Sequence, residues 1–209
     1  MKISFIKLAV LSSFLWVGGV HADWSLQGEE SSLHFVSIKK DTVGEVHSFK
    51  QLTGKIANSG EFQFSVQLGG VETNIPIRNE RMNEFLFEVA KFPLAAGRGK
   101  VDMTVVKNLT VGSVKSMTVP VTIELHGKSL QKDVMLQVAK LSAEKLWVVT
   151  AAPFLIDTAE FDLTPGVDKL RELAALPNIA QAVPVSASLM FVSDSTEKSN
   201  TTEKSKEKK

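Results

Sequence analysis

A handful of residues in this chain could hold a polar or charged group, and almost none could break a bond. Arg78, Arg81 and Arg98 could grip a phosphate through forked, charge-assisted hydrogen bonds. The same arginines suit a solvated helix face equally well. An uncharged polar group needs only a donor, which His34, His47 or His126 could supply; each histidine also suits a strand edge where backbone satisfies its nitrogens. Machinery for catalysis is harder to find. The chain has no cysteine, no His-Glu-x-x-His, no Gly-x-Ser-x-Gly and no Gly-x-x-x-x-Gly-Lys-Ser/Thr loop. The histidines after the first 22 residues lie more than five residues apart, so a zinc site would need convergence in space, and no calcium loop is present. Glu80 and Glu84, one helical turn apart, read as a solvated face rather than a glycosidase pair. This inventory argues against an enzyme.

The elements that must position those residues are mostly strands. Phe62, Phe64, Val66 and Leu68 alternate with Glu61, Gln63, Ser65 and Gln67, and Met117, Val119, Val121, Ile123 and Leu125 alternate with Thr118, Pro120, Thr122 and Glu124. A period of two gives each strand one dry and one wet face. Similar patterning predicts strands over residues 33–38, 43–49, 52–56, 99–106, 133–141, 146–152 and 183–192, with Val101, Met103 and Val105 sharing a face of the fourth. Residues 78–89 carry Met82, Phe85, Leu86 and Val89 at helical spacing, and residues 167–176 form a second short helix ended by Pro177. Residues 154–163 are extended and mixed. With no internal repeat and no linker, residues 23–192 form one all-β domain. Alternation alone leaves open a filled sandwich and a barrel closed on itself. An outer-membrane barrel is disfavoured, because the chain has no tyrosine and three tryptophans to build aromatic girdles.

The two ends carry different information. Lys2 and Lys7 precede an uncharged apolar stretch, residues 8–17, and Val20-His21-Ala22 is a small-x-small cleavage site. That order predicts a secretory signal over residues 1–22, too short to span a bilayer, with no integral membrane segment after its removal. Export without disulfides predicts a bacterial periplasm and a fold held by its hydrophobic core. Residues 193–209 contain only Ser, Thr, Asn, Asp, Glu and Lys and are expected to be a disordered charged tail. The whole chain has a net charge of +1. Residues 23–192 come to −2, with 17 basic and 19 acidic side chains, so nucleic acid is a poor partner.

Several segments in order resemble the YceI-like family of periplasmic, lipocalin-like proteins. They are Trp24 near the mature start, Ser32-Leu33-His34-Phe35, and Val43 to Phe49 followed by Leu52-Thr53-Gly54-Lys55-Ile56. Further on come Val71 to Ile75 before Arg78 to Phe87, then Leu125-His126-Gly127-Lys128, and Gly166 to Leu170 before Val183-Pro184-Val185. One departure is that Arg78 precedes Asn79 and Arg81 precedes Met82, where the family often has Arg-Asp; a role for that Asp does not carry over. The resemblance implies an extended antiparallel lipocalin-like barrel of about eight strands with two short helices. It also implies an apolar small-molecule ligand, a prenyl quinone or prenyl phosphate, and no other cofactor. The inward-facing Phe62, Phe64, Val66, Met103, Val119, Val121, Ile123, Leu189 and Phe191 could then line a tunnel, with Trp147 and Phe154 in it or at its rim. Each could equally pack a solid core. In the first case a phosphate head would fall to Arg78, Arg81 or Arg98, and a quinone to a histidine. In the second the chain would be a stress-protective or protein-interaction module with a packed barrel. A homodimer stays open in both.

Overall fold

The computed structural model describes residues 23–194; the expected signal segment, and the expected tail beyond Asp194, lie outside the described residues. Among the described residues, twelve strands make one antiparallel sheet. In chain order they are β1 (Trp24–Leu26), β2 (Ser32–Lys39), β3 (Val43–Phe49), β4 (Leu52–Ile56), β5 (Glu61–Gln67), β6 (Val71–Glu72), β7 (Leu94–Lys100), β8 (Val114–Leu125), β9 (Lys128–Lys140), β10 (Lys145–Thr150), β11 (Phe154–Asp157) and β12 (Ala182–Ser193). β12 runs one residue past the expected end of the domain, and its Ser193 is buried.

The sheet closes through β12. Its C-terminal half pairs with β10 on one side and β1 on the other, and β1 passes on to β4, β5, β7, β8, β9 and back to β10. That is a ring of eight strands, a closed barrel rather than a sandwich. The N-terminal half of β12 pairs instead with β11 and β2, and β2 carries β3 and β6. The extra strands lengthen the barrel at one end. Tight turns set the register: His126 and Gly127, both at positive φ, join β8 to β9, the backbone that a two-residue hairpin turn requires.

Helices close the two ends. At the extended end, α1 (Pro76–Arg81) runs into a π-helical segment (Met82–Leu86), in which the Phe87 N–H donates to the Met82 carbonyl. Pro76 starts α1 at the position where a missing N–H costs nothing. α3 (Thr164–Leu173) packs against the π segment. A strand was expected over residues 99–106, but β7 ends at Lys100 and α2 (Met103–Lys107) follows it. The reason is local: the Asp102 carboxylate accepts from the Thr104 N–H at 2.8 Å, an N-cap. Met103 and Val106 then bury one helical turn apart. α2 therefore closes the other end.

Apolar packing follows the same division. One cluster at the extended end centres on Phe35, Leu68, Leu86, Phe161 and Val167, with Phe161 fully buried. A second, near α2, joins Ile56, Met103, Val106, Leu146 and Phe191. Replacing a buried phenylalanine such as Phe161 by alanine typically costs about 3–5 kcal/mol.

Candidate functional site

The barrel is hollow. A cavity of about 530 Å³ is bordered by residues from both apolar clusters, so it extends from α1 and α3 to α2. Its volume falls within the range of small-molecule sites. The walls come from the core-facing parity of the strands, and β7 contributes almost no side chain. Ala95 and Gly97 border the space there. A Cβ on the neighbouring Gly99 would lie 2.6 Å from the Phe62 ring and 2.8 Å from the Pro120 carbonyl oxygen. The glycine is what lets that ring come so close to β7.

The expected tunnel residues divide accordingly. Phe62, Phe64, Val66, Val121, Ile123, Phe154, Leu189 and Phe191 border the cavity, and Met103 does so from α2 rather than from a strand. Val119 does not. It is 3 % exposed and packs with Val121, Val134 and Phe62 within the wall. Trp147 is on the outside of β10, 40 % exposed, with its indole N–H donating to Ser188 Oγ at 2.8 Å. Its parity along β10 is opposite to that of Leu146 and Val148, which face in; a large aromatic ring is no guide to the side it faces.

Arginines and histidines sort in the same way. Arg98 is on the outer face, half exposed and paired with Glu124 at 2.8 Å. His34 lies on the outward parity of β2 and does not border the cavity. His126 sits in the β8–β9 turn with Nδ1 3.2 Å from the Phe161 carbonyl oxygen and its ring against Phe92. Arg78, Arg81 and His47 do border the cavity.

Around these three the mostly apolar space has one polar end. Along β2 the inward parity passes from Leu33 and Phe35 to Ser37 and Lys39, and along β3 from Phe49 to His47 and Glu45. Glu45 Oε2 receives both Lys39 Nζ and Arg78 Nη1, each at 2.8 Å. Arg78 Nη2 donates to the Thr73 carbonyl at 2.7 Å, in the segment leading into α1, while the Nη1 contact with Glu45 of β3 ties α1 to the barrel. His47, 3 % exposed, has Nε2 2.8 Å from Ser37 Oγ and its ring 5.0 Å from that of Phe35. Burial, then the nearby Arg78 charge, lower its pKa to about 4, against a smaller opposing pull from Glu45. The imidazole is neutral at any ordinary pH. The Glu45 carboxyl is held below its usual range, first by its hydrogen bond from Lys39. Arg81 is tied by Nη1 to the Leu173 carbonyl on α3, at 3.3 Å.

Ser37, Lys39 and Glu45 were not among the residues expected at the site. Their signal was present: polar side chains on the buried parity of β2 and β3, where an ordinary core would be apolar. The lip of the cavity was missed as well. Ile75 and Ile77 border the space and are 43 % and 52 % exposed. No group of three or more acidic or histidine side chains suited to a metal ion occurs among the described residues.

Comparison with known proteins gives a consistent picture. A family model described as "YceI-like domain" matches residues 24–191. No curated protein matches the chain. A solved structure described as a polyisoprenoid binding domain from Saccharophagus degradans, implicated in plant cell wall breakdown, is 39 % identical with a TM-score of 0.79. The alignment covers 81 % of this chain and 97 % of that one. BcnA of Burkholderia cenocepacia is similar in fold, with 16 % identity, a TM-score of 0.62, and coverage of 79 % of this chain and 98 % of that one.

Proposed function

We propose, for a chain that belongs to the YceI-like domain family, that it is a periplasmic binding protein carrying an isoprenoid-type lipid, a prenyl quinone or prenyl phosphate, inside its barrel. It is a binding protein, not an enzyme. The observation that carries the reading is the cavity of about 530 Å³, apolar along its length and polar at one end. A branched hydrocarbon tail binds by leaving water, at about 0.8 kcal/mol per methylene-sized group before the ordering of the chain is subtracted. Such affinity needs smooth apolar walls and no special hydrogen bond, and Phe62, Phe64, Val121 and Leu189 supply them. Similarity to a polyisoprenoid binding domain supports the same ligand class. The basic start, apolar stretch and small-x-small site before Asp23 support export. A barrel filled by its own side chains, the competing reading, needs a solid interior and finds no support in this cavity.

The test is direct. Protein taken gently from the periplasmic fraction of its host and extracted with organic solvent should release a near-stoichiometric lipid with an isoprenoid mass series. Emptied protein should take up prenyl quinones or prenyl phosphates saturably. Protein that is repeatedly lipid-free and takes up neither would overturn the proposal, and recovery only from the cytoplasm would overturn its location.

A further inference from the structure

The outer wall of the barrel near α2 carries an apolar stripe that the cavity does not explain. Val114 pairs with Ala139, Ala139 with Trp147, and Trp147 with Met190, across β8, β9, β10 and β12. Directly paired residues of an antiparallel sheet share a face, and Trp147 faces out, so the four lie on one outward stripe. Val114 and Trp147 are 59 % and 40 % exposed. Leu141, just past the end of β9, and Val111, in the turn before Val114, extend it and are 44 % and 60 % exposed. Turn and strand end are joined: the Gly112 N–H donates to the Lys140 carbonyl at 2.8 Å, and the Lys140 N–H to the Ser113 carbonyl at 3.1 Å. Contiguous exposed apolar surface of this kind marks an interaction site.

Charge and hydrogen bonding indicate what covers it. Residues 103–118 and 137–148 hold four lysines and one acid, Glu144. Lys145 is paired with Glu30, and Asp102 is engaged in capping α2. Lys107, Lys115 and Lys140 are in no ion pair among the described residues. Lys115 adjoins Val114, Lys140 lies between Ala139 and Leu141, and Lys140 Nζ donates to the Lys107 carbonyl at 3.2 Å. A second copy docked face to face would bring these lysines against their own equivalents. A folded protein partner would need about one hydrogen bond per 100–200 Å², and the stripe offers few, because the Trp147 indole N–H is already given to Ser188. A bilayer with acidic headgroups needs no such bonds. It takes up apolar side chains at the acyl boundary, where Trp is favoured, and attracts lysines at its surface.

We infer that Val111, Val114, Leu141 and Trp147, with Lys107, Lys115 and Lys140, form a docking surface for an anionic lipid bilayer. The inference goes beyond the carrier reading, since docking by this outer face needs no cargo in the cavity.

The experiment mixes the chain from Asp23 to Lys209 with vesicles of phosphatidylcholine, alone or with an equal part of phosphatidylglycerol. Binding, read by flotation, should be at least about tenfold tighter with phosphatidylglycerol and should weaken as salt is raised. Phosphatidylcholine brominated in its acyl chains should quench tryptophan emission in the mixed vesicles, and Trp147→Phe should remove the quenched part. Trp147→Ser should weaken binding at least about fivefold. Lys107→Gln combined with Lys115→Gln should cut the preference for acidic vesicles to about threefold or less. Val46→Ser, at a residue 62 % exposed on β3 at the other end of the barrel, should change nothing. Equal binding to both vesicles, unquenched tryptophan, or loss of docking on Val46→Ser would overturn the inference. So would a dimer that shields Trp147 from iodide in the absence of lipid, which would give the stripe to a second copy. Should a variant fail to fold, the wild-type vesicle preference and the quenching decide alone. Protein that docks but never takes up a prenyl lipid would end the carrier reading and spare this inference; a loaded carrier that ignores vesicles would do the reverse.

Discussion

His47 shows how one buried side chain links stability to pH. In the folded protein its pKa is lowered to about 4, while the unfolded chain would titrate near 6.5. Between these values the unfolded state takes up a proton that the folded state refuses, so stability falls as pH drops through this window and levels off below it. The shift corresponds to roughly 3 kcal/mol. Glu45 and Glu72 act lower down. Glu72 is held at about 2, chiefly by its hydrogen bond from Lys50, and its contribution is lost as pH falls from about 4.5 towards that value. Urea denaturation at pH 7, 6, 5 and 4 should therefore show a progressive loss, and His47→Phe should abolish the part of the slope above pH 5. An unchanged slope in the variant would place the titrating group elsewhere.

At the scale of elements, the extended end is held by close packing of two short helices that could not stand alone. α3 meets the π segment at Gly166, where a Cβ would lie 2.5 Å from the Phe85 carbonyl oxygen and 2.7 Å from Leu86 Cα. Both are backbone atoms and cannot swing aside. Gly166→Ala should push α3 off the π segment and destabilise the protein by about 1–3 kcal/mol, the usual range for overpacking, measured as a lower denaturation midpoint at unchanged slope. Its tie from Arg81 to the α3 carbonyl of Leu173 should loosen with it. A variant as stable as wild type would mean that the helices are free to part. π segments recur at functional sites, and this one supplies Met82 and Leu86 to the cavity wall.

For the molecule as a whole, the decisive property is a hollow interior, and two valines on one strand test it. Val121 borders the cavity; its Cγ1 would lie 3.3 Å from a Cβ on Gly97, across a stretch of wall that has no side chain. Val119, two residues earlier, is packed among neighbours on the same face. Val121→Trp should extend into the free space, eliminate uptake of an apolar fluorescent probe, and cost less stability than the same change at Val119. Val119→Trp should cost about 1–3 kcal/mol as an overpacked substitution. Equal destabilisation by the two would mean that the barrel has no room for a guest.

Much of this was legible in the chain itself. Local chemistry determined the strands, because a period of two imposes a wet and a dry face wherever the strand goes, and β2 to β5, β8 to β10 and β12 follow that pattern. The order of short motifs determined the family and, through it, the barrel. Where a cap outweighs alternation, the pattern misleads: Asp102 starts α2 in a stretch that alternates like a strand, yet Met103 still reaches the interior because one helical turn also puts it there. Only the tertiary structure decided which large residues border the space, turning Trp147 and Arg98 outward and sinking Val119 into the wall. It alone brought Ser37, Lys39 and Glu45 beside His47 and Arg78, since β2, β3 and α1 meet through pairings and contacts between distant parts of the chain. Periodicity says which side of a strand is dry; whether that dryness is filled or empty depends on how the strands close around it.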